Sequence, residues 1–120
     1  MLNLNSIMVG SMQPKVMADF YEKVFGRPAD MTEGNWYGWS VGSSFFSVGE
    51  HSGVDDKAKE PQRMMFNMET KEIKEESDRI KALGATVIKE LYEMGDDMHV
   101  ATFADPDGNY FQLMTPWKSE

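Results

Sequence analysis

At 120 residues, with 41% hydrophobic and 12% aromatic residues, the chain has enough material for one packed domain. A formal net charge of −8 argues against a nucleic-acid partner and for neutral or cationic small ones. The absence of cysteine excludes disulfides, thiolate metal sites and a thiol nucleophile.

No apolar run approaches the ~18 residues needed to span a bilayer. The start MLNLNSIMVG lacks a basic region and a cleavage site, so a cytoplasmic location without membrane attachment is expected.

Taken in chain order, SIMVG (Ser6–Gly10) reads as a strand and QPKVMADFYEKVFG (Gln13–Gly26) as a helix. Pro14 suits its first turn, Val16, Phe20, Val24 and Phe25 make an apolar stripe, and Gly26 stops it. NWYGWSV and SFFSV follow as strands around Gly42-Ser43, a hairpin signal. A polar linker over about residues 51–61 leads to a second pass through the same order. RMMFNM (Arg63–Met68) reads as a strand. The helix over Thr70–Gly84 has Thr70 as N-cap and Ile73, Ile80 and Leu83 facing inward. ATVIKEL is a strand, and MHVATFA and NYFQLM form a closing hairpin around DPDGN.

The order strand, helix, three strands thus occurs twice, a βαβββ repeat with modules of about 1–50 and 62–118 in one domain, 1–120. The fold class expected is α+β, with eight strands curled around a cleft lined by alternate strand residues.

Two stretches, FYEKVFG (Phe20–Gly26) and FADPDGNYFQL (Phe103–Leu113), resemble the vicinal oxygen chelate superfamily of glyoxalases, extradiol dioxygenases and bleomycin-resistance proteins. The resemblance covers nearly the whole chain. It implies a curled eight-stranded mixed sheet around a cavity, often completed by a second chain, and hence a homodimer. Metal-dependent members carry a ligand on the first and last strand of each module, usually His or Gln and then Glu.

Carried over, those positions fall on Ser6, Ser47 (or Gly49, one pair along), Arg63 and Gln112. Gln112 stands where a carboxylate would, keeping its size and losing its charge. Without an anionic or imidazole ligand, and with a permanent cation at Arg63, such a set suits no divalent metal, and no cofactor is expected.

The resulting expectation is a metal-free protein that binds a small, aromatic or drug-like molecule through Ser6, Trp39, Ser47, Arg63, Tyr110 and Gln112. The acidic balance favours a basic ligand, whereas Arg63 in the cleft favours an anionic group. The alternative is a metal-dependent lyase, isomerase or dioxygenase-type enzyme with displaced ligands, resembling lactoylglutathione lyase. His99, beside Glu93, Asp96 and Asp97, would be its base, with Glu50 and His51 as further ligands. A third reading is a module whose cavity is filled and which associates with a partner. Alternative plain roles are Gln112 hydrogen-bonded within its sheet, Arg63 paired with Glu60 or Glu69 on the surface, and the aromatics and methionines serving as core.

Overall fold

The computed structural model describes residues 1–117; the module end expected at residue 118 lies outside them. Two compact units are present, Met1–Lys57 and a second beginning at Ala58, so the division falls inside the segment read as linker. The described secondary structure is α+β: two helices and two four-stranded mixed sheets.

In the first unit the order is β1 (Ser6–Ser11), α1 (Pro14–Phe25), β2 (Met31–Glu33), β3 (Trp36–Val41) and β4 (Ser44–Glu50). The sheet runs β1-β4-β3-β2, with β1 parallel to β4 and the other pairs antiparallel. No apolar run marks β2, whose three residues are all exposed. It is recruited by pairing Met31 with Gly38. The β3–β4 hairpin closes from Val41 to Ser44 through Gly42-Ser43, and the positive φ of 57° at Gly42 is the reason glycine serves there.

Pro14 begins α1, and Gly26, left-handed at φ 78°, donates its N–H to the Glu22 carbonyl and ends it. The buried stripe differs from the expected one. Met17, Ala18, Tyr21 and Val24 face the sheet, while Val16 is 48% exposed. Tyr21 settles the helix rotation: its ring lies 4.7 Å from Phe46 and 5.7 Å from Phe25. Phe25 in turn packs 5.4 Å from Trp39. Aromatic pairs of this kind add about 0.5–1.5 kcal/mol each beyond burial alone, enough to outweigh exposure of one valine.

In the second unit a 3₁₀ turn (Pro61–Arg63) precedes β5 (Phe66–Glu69), α2 (Ile73–Ala82), β6 (Thr86–Glu93), β7 (His99–Ala104) and β8 (Tyr110–Met114). This sheet runs β5-β8-β7-β6, with β5 parallel to β8. Its topology repeats that of the first unit. β5 starts three residues later than expected, because Pro61 opens the turn and the Arg63 N–H closes it on the Glu60 carbonyl at 3.0 Å. The start of α2 differs too: Thr70 caps no helical N–H but accepts from Glu72 at 3.0 Å before the helix begins. Ile80 is buried, whereas Leu83 is 40% exposed.

The DPDGN turn is held from within. The Asp105 carboxylate accepts the N–H groups of Asp107 at 2.9 Å and Asn109 at 3.0 Å, and Gly108, at φ 83°, donates to the Asp105 carbonyl. Among the described residues no helix is long and apolar enough to cross a membrane.

Candidate functional site

Pairing sorts the strand residues of the first sheet onto two faces, since side chains alternate along a strand and registered neighbours point the same way. Val9, Phe46, Val48 and Trp39 lie on the α1 side. Ser6, Met8, Trp36, Gly38, Phe45, Ser47 and Gly49 share the side turned away from the helix.

Two of the proposed ligand-binding residues, Ser6 and Ser47, are therefore brought to one face, with Met8 directly beside Ser47. Trp39 is not there. It is 1% exposed, packs in the core under α1, and donates its indole N–H to the Arg27 carbonyl at 3.0 Å. The same loop is tied down again by Asp30, which accepts the Ser40 N–H at 2.7 Å and pairs with the Arg27 guanidinium. Arg27 also donates to the Ser40 carbonyl. That Ser40 N–H, with Arg27 adding to it against partial desolvation, holds the Asp30 carboxyl below its usual pKa.

What occupies the helix-averse face is an aromatic pair: Trp36 and Phe45 stack with centroids 5.8 Å apart and planes 28° from parallel. They lie over two glycines. A Cβ placed on Gly38 would come within 2.3 Å of Phe45 Cζ and 3.1 Å of Trp36 Cη2, and one on Gly49 within 2.9 Å of Trp36 Cδ1. The glycines let the rings lie down on the sheet instead of standing off it. The result is a flat aromatic surface bordered by the Met8 side chain, with Ser47 buried beside it in the sheet. The signal was present in the alternation of Trp36 with Gly38 and of Phe45 with Ser47 and Gly49. Choosing between the two faces of NWYGWSV, however, requires knowing which one α1 covers.

In the second sheet Tyr110 and Gln112 share a face with Thr102 and Asn67, opposite the buried Phe103, Phe111 and Leu113. Gln112 donates from Nε2 to Thr102 Oγ1 at 3.0 Å, so the amide is engaged within the sheet, and its strand neighbour on the other side is Asn67. Arg63 is not on this face. It precedes β5, is 71% exposed, and pairs with Glu60. The β5 residue beside Gln112 is Asn67.

His99 lies at the start of β7, half-buried, with Nε2 3.7 Å from a Glu93 carboxylate oxygen. His51 accepts the Gly53 N–H on Nδ1 at 2.9 Å, at the turn after β4.

The donors at the expected ligand positions do not fit a divalent cation. Ser6 and Ser47 share a face in one unit with Met8 beside Ser47, Gln112 stands beside Asn67 in the other, Arg63 lies off that face, and none is a carboxylate or imidazole. Among the described residues no group of three or more His, Asp or Glu side chains converges as metal ligands would.

No curated protein sequence matches the chain. Solved structures do. A glyoxalase/bleomycin resistance protein from Albidiferax ferrireducens T118 aligns over 93% of this chain and 98% of its own, with a TM-score of 0.74 and 18% identity. A glyoxalase-related enzyme from Fulvimarina pelagi aligns over 97% and 89%, at 0.78 and 14%. A glyoxalase / bleomycin resistance protein from Catenulispora acidiphila DSM 44928 aligns over 98% and 100%, at 0.70 and 14%. Identities this low speak for the fold alone. The sequence itself carries the family: residues 6–114 match the Glyoxalase-like domain, and the chain belongs to that family.

Proposed function

We propose that this chain is a metal-free, bleomycin-resistance-like member of the family that binds a small planar molecule on the helix-averse face of its first sheet. The carrying observation is the Trp36–Phe45 pair laid flat over Gly38 and Gly49. Stacked aromatic surface of this kind favours a planar, polarisable ligand, and the chain's charge of −8 favours a cationic one at long range. Met8, 54% exposed, supplies an adaptable edge. Support for the absence of metal comes from the donor set, which offers a cation neither charge nor imidazole. A cytoplasmic homodimer is part of the same reading, and size-exclusion chromatography with light scattering tests its oligomeric state.

The experiment is a thermal-shift screen of EDTA-dialysed protein with bleomycin and acridine orange. Binding to the native state raises Tm by mass action, about 2.7 kcal/mol of stabilisation at a hundred times Kd. A shift with either probe that disappears in Trp36→Ala is the expected result. A shift that survives in Trp36→Ala would move the site elsewhere, and no shift with either would remove the proposal.

A further inference from the structure

The second unit contains a cavity of about 330 Å³ with no part in the reading above. It opens where residues 58–66 pass the DPDGN turn. Pro61, Met64 and Phe66 give it an apolar wall, and Lys59, Arg63 and Asn109 a polar rim.

The rim is built by the backbone. Ala58 donates its N–H to the Asp107 carbonyl at 2.9 Å, fastening the segment to the turn, and the Glu60–Arg63 backbone bond at 3.0 Å sets the 3₁₀ turn. Asp105 of the turn has its carboxylate engaged by the Asp107 and Asn109 N–H groups, and neither aspartate of the turn lines the cavity. The charges left at the mouth are Lys59, Arg63 and Glu60, a net positive set on an otherwise acidic chain.

Arg63 spends one nitrogen on Glu60: Nη2 donates to both carboxylate oxygens, at 3.2 and 3.1 Å. Its Nε and Nη1 donors have no partner among the described residues, and both members of the pair are 71% exposed. An exposed single-nitrogen contact is weak. A ligand carboxylate presented from the cavity, bound through two nitrogens, is the stronger partner for a guanidinium. A body of one ring suits the apolar wall, because a volume of this size lies at the small end of ligand pockets.

We propose that this cavity is a binding site for a small organic anion, an arylalkyl carboxylate, whose ring packs on Met64 and Phe66 and whose carboxylate takes the Arg63 fork. Glu60 is its internal competitor. The ligand must displace Glu60 from Arg63, so the glutamate sets the affinity from within the chain. This site does not depend on the planar-ligand surface, which belongs to the other unit.

The test is titration of the ¹⁵N-labelled full chain with 3-phenylpropionate, followed by amide shifts, with 3-phenylpropanamide as the neutral isostere. The acid moves the resonances of residues 59–66 and Asn109. Arg63→Ala weakens binding by about tenfold or more, the range of a lost charge-assisted pair, and the neutral amide binds more weakly by a similar factor. Glu60→Gln tightens it by several-fold, which a merely nonspecific cationic surface would not show. Equal binding of acid and amide, unchanged affinity in Glu60→Gln, shifts confined to the Trp36 region, or no shift at ~10 mM acid, a weak-binding limit, would each overturn the proposal.

Discussion

Gly38 decides whether the first sheet has a flat aromatic surface. A methyl group there meets Phe45 Cζ at 2.3 Å and Cε2 at 2.6 Å, closer than real Cβ contacts, so one group must move. The atoms met are the far end of a half-exposed ring, which can swing away without disturbing the backbone. Gly38→Ala is therefore expected to cost less than the ~1–3 kcal/mol typical of overpacking a closed core. It should nevertheless change the near-UV circular dichroism of the Trp36–Phe45 pair and abolish planar-probe binding. A urea titration and the same thermal-shift screen read the two effects separately. At this scale the sequence is least legible. Trp36 and Trp39 sit three positions apart in one short strand, and nothing local says that Trp39 goes under the helix and Trp36 does not. What separates them is Phe25 at 5.4 Å and the Arg27 carbonyl at 3.0 Å, contacts from a different element.

Among the elements, α2 carries an avoidable cost. Ser77 is buried in its middle, and its hydroxyl oxygen has no hydrogen-bond partner among the described residues. An unsatisfied buried hydroxyl costs about 1–3 kcal/mol by mutational measures, and alanine is the better helix former by roughly half a kcal/mol. Ser77→Ala should thus stabilise the protein by about 1 kcal/mol, after allowance for the lost volume, without affecting ligand binding; a rise in the urea midpoint checks it.

The loop between α1 and β3 has a pH signature instead. Asp30 titrates below its unfolded value because the Ser40 N–H and then Arg27 favour its anion. Its contribution is complete above the unfolded pKa of about 3.9 and is lost as pH falls through the lower folded value. Asp30→Ala should therefore lower Tm at neutral pH, and the gap from the wild type should close as pH falls through and below the unfolded carboxylate pKa. A gap that stayed constant across that range would remove Asp30 from the loop's electrostatics.

Element boundaries were legible where local chemistry marks them: Pro14 and Gly26 for α1, Gly42-Ser43 for the hairpin, and DPDGN for the last turn. They were not legible at β2, whose three residues are all exposed and show no buried alternation, or at β5, where Pro61 draws Arg63 into a turn and away from the strand.

For the molecule as a whole, the doubled βαβββ order was readable because each unit repeats the same apolar alternation and the same helix stop. The two sheets, β1-β4-β3-β2 and β5-β8-β7-β6, realise it with identical topology. The positions that carry chemistry in metal-dependent relatives were readable in part. Ser6, Ser47 and Gln112 are on the expected strands, while the second-unit first-strand position passes from Arg63 to residues nearer Asn67. In neither arrangement does a carboxylate or imidazole stand beside Ser47 or Gln112, a donor set that suits a divalent cation poorly.

Elemental analysis tests the proposed metal-free state most directly. The purified protein would be dialysed against zinc, nickel, manganese and iron in turn, then against metal-free buffer. Metal well below one ion per chain in every case is the predicted result. Stoichiometric retention of any of the four would contradict it and return His99, His51 and Glu50 to the position of ligands.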